Sequence, residues 1–421
     1  MGLIHLSHLH ENMSLTFGEI KAVFSGITTG EIQPIEKFDG QSIFFKWNAP
    51  DSTVRVAYSA SEIRAGGKTI EEFSQRWIGH PAENAFVGGA EAIQLGVQSL
   101  DDATLLTIFG DSGNSFIAAE IIYPDNPNMI NYNGNYIAMH NLQKFDDAGK
   151  PADAQLAGGE FGQLISAIEE AEEAADQSEW SVIGPQITNI QDLVSGDTVA
   201  EYISQLDVVS GMSDNATIGD YVEEQLRAGP IFDLPIPITK QEGLIKLILK
   251  KDGAPRLIDL KKGLPRDVAA QVSALGQAKN RNKVVGNAVS KIEGVISDFA
   301  IEILSGVESV IVGSHSEEIS RLKTMLNDAV TQIEAAEGSD DLMPMVEKQL
   351  EKLGGIDKIT STVEGIVFEY PAGSKQLYKL TGAFAMLNQI VGRARRLPAP
   401  TKESEQNEAL LRNYVRAFIT G

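Results

Sequence analysis

A lysine acts as a nucleophile only when neutral, so a lysine flanked by a turn glycine and answered by distant carboxylates is the first place to look for covalent chemistry. Lys37 lies in Ile35-Glu36-Lys37-Phe38-Asp39-Gly40-Gln41-Ser42. Gly40 permits a close backbone approach, and the short strand after it fixes the direction of the lysine. Partial desolvation, or a neighbouring nucleotide and metal, lowers an ammonium pKa enough to free its lone pair. Asp-Gly is also a strong surface-turn signal, so the tetrapeptide gains weight only from partners elsewhere. Those partners are Glu364 in Val363-Glu364-Gly365-Ile366-Val367-Phe368 and Lys379 in Leu377-Tyr378-Lys379-Leu380.

The ordered set resembles the nucleotidyltransferase core of polynucleotide ligases and mRNA-capping enzymes. The opening residues 5–11 and the run 377–392 look similar to uncharacterised ligase-like proteins of tailed phages. The resemblance covers residues 30–145 and 355–392 and implies a role for each matching side chain. Lys37 would carry AMP as a phosphoamide, with Asp39 and Gly40 completing its motif. Glu36 would read the adenine. Arg64, with Arg55 as the competing position, would bind a donor phosphate or the ribose through its planar fork. Glu120, at the end of Phe116-Ile117-Ala118-Ala119-Glu120, would orient the ribose. Met139 or His140 stands where an aromatic ring normally stacks on the base. Glu364 would bind Mg2+ (or Mn2+), and Lys379 would hold the α-phosphate. A second lysine of the family pattern is replaced here by Thr381.

The elements that must position these residues follow from periodicity. Residues 42–47, 53–58, 105–109, 115–123 and 135–142 read as strands, separated by turn residues at 48–51, 111–114 and 124–127. A helix is expected over 15–25. From about 160 the spacing becomes helical, over 161–175, 199–206, 219–226, 242–250, 266–275, 283–304 and 317–337. Strand character returns at 360–370 and 375–381, and the chain turns helical again from 383. The expected fold is α+β: an antiparallel-sheet nucleotidyltransferase core (a ligase adenylation core) interrupted by a large, mainly helical insertion. The corresponding segments are 1–155 and 356–392 for the two core halves, 156–355 for the insertion and 393–421 for a helical tail. Only 42 residues follow Lys379, too few for a C-terminal OB-fold.

Composition bounds the remainder. With no cysteine, disulfides, thiolate metal sites and a cysteine nucleophile are excluded. No stretch approaches the roughly 18 apolar residues of a membrane span, and residues 1–5 lack the start of a secretory signal, so no membrane partner and a cytoplasmic location (that of the host, if phage-encoded) are expected. A formal charge of −23 argues against a simple basic nucleic-acid binder. The acidity is local, however. Residues 240–297 hold 12 Lys/Arg against 5 Asp/Glu, and 371–402 hold six basic residues and no acidic one. The resulting expectation is an ATP-dependent RNA ligase joining 5′-phosphate to 3′-hydroxyl ends. A DNA ligase is the alternative, and a non-catalytic phage structural or regulatory protein with a decayed core is the other.

Overall fold

The computed structural model describes residues 6–397 apart from 111–113, 147–150, 156–165, 167–179, 186–187, 189, 192, 230, 310, 337–341 and 375. The chain is mixed α and β and divides into two compact units. The first comprises Met1–Leu6, Ile32–Leu193 and Ala300–Gly421; the second comprises Ser7–Glu31 and Val194–Phe299.

The first unit contains two sheets. Strands β1 (Ile35–Lys37), β8 (Gly365–Glu369) and β9 (Leu377–Thr381) form a small antiparallel sheet in the order β1-β8-β9. The larger sheet runs β3 (Thr53–Ala57), β2 (Gln41–Asn48), β4 (Ser115–Ile122), β5 (Asn135–Phe145), β6 (Pro151–Gln155). Strand β7 (Trp180–Ile183) adds to the same edge of β5 as β6 but at its other end, and it pairs in parallel. The expected all-antiparallel arrangement therefore fails at one strand, which lies inside the stretch expected to be helical. The helix expected over 161–175 lies, apart from residue 166, outside the described residues.

Alternation gives the larger sheet two distinct faces. Ile43, Phe45, Trp47, Val54, Val56, Ile117, Ala119 and Ile121 pack one face against Phe73, Trp77, Phe86, Ile93 and Phe109. These come from helices Ile70–Trp77, Glu83–Gln98 and Asp102–Phe109. The last replaces the strand expected at 105–109. Asp101 caps it, accepting the amides of Ala103 and Thr104 at 2.9 and 3.0 Å, and Gly110 ends it at φ 72°. A short apolar run fits a buried strand or a buried helix equally, and here the cap decides. The opposite face carries Phe44, Ala57, Phe116, Ala118 and Phe145 together with Glu120 and Lys46.

A second core surrounds Phe38, Ile122, Met129, Ile130 and Tyr132, closed by helices His315–Glu334, Met343–Leu353 and Ala383–Ala394. The helices after residue 300, grouped by periodicity with the middle segment, thus bury their apolar stripes in the first unit. The boundary at 355 is displaced accordingly, because Leu322, Leu326, Val330 and Ile333 pack with Phe384, Leu387 and Ile390.

The second unit is helical: Phe17–Thr29, Gly196–Ser210, Ile218–Ala228, Ile238–Ile248, Leu257–Lys261 and Arg266–Gly276, with the part of Ala278–Ser305 up to Phe299. Thr16 and Glu19 form a capping box at its first helix, and Phe24 stacks on Phe299 at 4.0 Å. Several of its cations serve the unit's own structure. Lys251 pairs with Glu223 and Arg256 with Asp259, while Lys240 donates to the carbonyls of Leu260 and Lys262.

Candidate active site

Strand β1 is short because Asp39 and Gly40 break it, yet its three residues fix the geometry of the site. Its register sets Ile35 opposite Val367, Glu36 opposite Ile366 and Lys37 opposite Gly365. Gly365 in turn faces Thr381 on β9, and Val367 faces Lys379. Lys37, Thr381 and Lys379 therefore share one face of the small sheet, with Thr381 in the row of Lys37 and Lys379 one row away. Glycine is required at 365, since a Cβ there would lie 2.4 Å from the Leu380 carbonyl oxygen.

This pairing joins residues 327 apart: the Lys37 ammonium forms an ion pair and hydrogen bond with Glu364 Oε2. Both side chains are largely buried, 17% and 12% exposed. Glu364 pairs with this lysine, and the charges of Glu120 and Asp39 also act on it. Burial opposes the ammonium, but Glu364 and Glu120 outweigh it and hold Lys37 well above the usual lysine range. Burial, with Asp39 and Glu120 nearby, pushes the Glu364 carboxyl up to about 8 despite the attraction of Lys37. Glu120 stays below the usual range: burial opposes this, and the charge of Lys37 with the contacts to His140 and Gly40 prevails. The cluster thus retains a proton among its carboxyl groups at neutral pH.

Gly40 brings the two sheets together. Its amide donates to Glu120 Oε2 at 2.5 Å, and a Cβ at 40 would lie 2.8 Å from both Glu120 Cβ and the Ile121 carbonyl oxygen. Asp39 turns the other way, into a loop that sequence reading missed. Its carboxylate accepts from the amides of Met129 at 2.6 Å and Ile130 at 2.8 Å, and from Asn128 Nδ2 at 2.7 Å. Its own amide donates to the Tyr132 hydroxyl at 2.9 Å. Burial, helped by Glu120, moves Asp39 up to about 6 against the pull of these amides. The sequence signal for this loop is the breaker run 124–127 followed directly by Asn128-Met129-Ile130-Asn131-Tyr132, a mix of polar and apolar residues. A buried Asp in a turn needs donors, and the loop supplies them.

His140 reaches the site through a β-bulge. Ala118 pairs with Asn141 and Ala119 with Met139, so His140 is the extra residue on β5. Its ring stacks on Phe38, and Nε2 lies 3.6 Å from Glu120 Oε1 without a hydrogen bond. Met139 points into the core on the other face, fully buried, and is not brought to the site. Nor is Glu36: alternation along β1 sets it on the face opposite Lys37, buried. Arg64 ends helix Ala60–Arg64 exposed to solvent, whereas Arg55 lies on β3 opposite Lys46, on the sheet face of Glu120, paired with Asp51. The competing arginine position is thus the better placed of the two.

Among the described residues no group of three or more His, Asp or Glu side chains forms a metal cage. One or two carboxylates beside Lys37 suit instead a hydrated divalent cation that completes its shell with phosphate oxygens. A buried lysine with adjacent carboxylates, a glycine-enforced backbone approach and an unbonded imidazole nitrogen can hold an anion, take up a hydroxyl and exchange protons. No family model and no curated protein matches this chain.

Proposed function

We propose that the chain is an ATP-dependent polynucleotide ligase that acts through a lysyl-AMP intermediate on Lys37, with RNA as its first substrate and DNA as the alternative. The observation that carries this reading is the β1–β8 pairing, which sets Lys37 against Glu364 across 327 residues, beside Glu120 and Gly40. A nucleotidyltransferase core of the ligase type would be assembled from the same strands.

Lys37 in its ion-paired form is protonated and cannot attack. Its pKa is sustained by Glu364 and Glu120 together, so engagement of both carboxyl groups by a cation and the nucleotide would let burial favour the neutral amine. A divalent cation held by Glu364 and phosphate oxygens would supply neutralising charge at the α-phosphate. Lys37 Nζ then forms a bond to the α-phosphorus while the bond to pyrophosphate breaks. Lys379 and Thr381, on the same sheet face, would steady the phosphate oxygens. The 3.6 Å gap between His140 Nε2 and Glu120 suits a ribose hydroxyl that bonds to both. AMP next passes to a 5′-phosphate, and a 3′-hydroxyl displaces it.

Incubation with α-labelled ATP and magnesium, followed by denaturing electrophoresis, should give a labelled band that is lost in Lys37→Arg. A second reading, a non-catalytic protein built on such a core, is favoured by the pinned ammonium of Lys37 and by the burial of Met139. The absence of label with ATP, GTP and NAD across several metals would select it.

A further inference from the structure

The loop that holds Asp39 is itself held from behind by two arginines, and both line a groove. Arg395 Nη2 donates to the Asn128 carbonyl at 3.0 Å, and Arg321 Nη2 donates to the Met129 carbonyl. Glu318 completes the grip, accepting from the Asn131 amide at 3.0 Å and from Arg321 Nε at 2.8 Å. The groove, of about 480 Å³, runs between helices His315–Glu334 and Ala383–Ala394. Its apolar lining includes Met325, Ala329 and Val391, and Asp328 is a carboxylate on its wall. Arg393, Arg395 and Arg396 are all exposed at the end of the second helix.

In a chain of net charge −23, this stretch is an exception: residues 371–397 contain no acidic side chain. Exposed guanidinium groups beside an apolar trough complement a strand that carries regularly spaced phosphates and flat bases. The two residues whose carbonyls the arginines hold, Asn128 and Met129, themselves donate to Asp39, and Asp39 stands two residues from Lys37.

We propose that this groove, with Arg393, Arg395 and Arg396 at its end, binds the phosphodiester backbone of a single-stranded polynucleotide and delivers its terminus toward Lys37. The assignment rests on the ligase reading for its purpose but not for its test, because strand binding is measured without ATP or metal.

The probe is a 12-nucleotide RNA with a 5′-phosphate and a 3′ fluorophore, and the readout is anisotropy as a function of sodium chloride; a DNA of the same sequence is run in parallel. Each phosphate contact on a single strand contributes about 0.7 to the slope of log affinity against log salt. Replacement of Arg393, Arg395 and Arg396 by Gln should weaken binding about tenfold at low salt and flatten the slope by roughly 2. Arg393→Gln with Arg396→Gln leaves the Arg395 contact to the loop intact and should flatten it by about 1.4. Unchanged affinity and slope in the double variant would overturn the proposal. So would a loss confined to a variant with Lys250, Lys251, Lys261 and Lys262 neutralised, which would assign the interface to the second unit. Equal, arginine-dependent binding of polyglutamate would make the face a dock for acidic protein segments instead. Strand binding that behaves as expected in a protein that never becomes labelled would retain the groove and discard the ligase reading.

Discussion

Glu364→Gln removes one titratable group from the centre of the site while keeping its shape and an oxygen able to accept from Lys37. Burial and two neighbouring carboxylates raise the Glu364 pKa to about 8, against roughly 4.3 for an unfolded glutamate. A raised carboxyl pKa means that the folded chain holds the extra proton between those values. Its stabilising effect is complete below the unfolded pKa and is lost as pH rises through about 8. One proton corresponds to at most about 1.4 kcal/mol per pH unit, and integration from pH 6.5 to 9 gives roughly 2 kcal/mol. Asp39, with its pKa of about 6, contributes only at the lower end of that interval. Lys37, held above the usual lysine range, keeps its charge throughout. Calorimetric unfolding at pH 7 in buffers of different ionisation enthalpy counts the protons directly. The wild type should release about one proton more than Glu364→Gln, and its melting temperature should fall more steeply between pH 6.5 and 9. Equal proton release by the two proteins would refute the assignment of the shared proton to Glu364.

The remaining expectations concern the groups around that pair. Asp39→Ala leaves the buried amides of Met129 and Ile130 without acceptors, at about 1–3 kcal/mol each, so the melting temperature should drop by several degrees; a shift within about 1 °C would mean that the loop is held by other contacts. Gly365→Ala drives a Cβ against the Leu380 carbonyl, should cost about 1–3 kcal/mol and should impair self-labelling, whereas Gly392→Ala, with open space around its Cβ, should do neither; labelling and melting curves of the two compare them directly. His140→Ala should raise the ATP concentration needed for half-maximal labelling about tenfold, and an unchanged requirement would remove His140 from the nucleotide site.

The residues that meet at the site were legible where spacing and register coincide. Lys37 ends one short strand and Glu364 directly precedes another, Gly365–Glu369, whose apolar pattern is strong, and Gly365 marks a place where only backbone fits. Ser42–Glu120 pairing likewise follows from two clear strand signals. What sequence could not disclose depends on one-residue shifts or on tertiary donors. The choice between Met139 and His140 is made by a bulge that shifts the register after Ala118, and no periodicity rule sees it. The loop from Asn128 to Tyr132 has no regular structure of its own, so its role appears only once Asp39 turns into it. The run 105–109 is apolar except at Thr107, and the cap at Asp101 rather than β propensity sets its state. The helices between 315 and 353 carry the same period as those of the second unit. Their destination is written in which apolar stripe meets Phe38 and Phe384, a long-range match that a period cannot specify.

The most direct measurement is identification of the modified residue. Incubation of the full chain with ATP and magnesium, proteolysis and mass spectrometry should find adenylate on the peptide containing Lys37, linked as a phosphoamide that is labile in acid and stable in base. Addition of pyrophosphate should discharge it. Adenylate on another lysine, or an unmodified Lys37 peptide at saturating ATP across magnesium and manganese, would contradict covalent nucleotidyl transfer at this site.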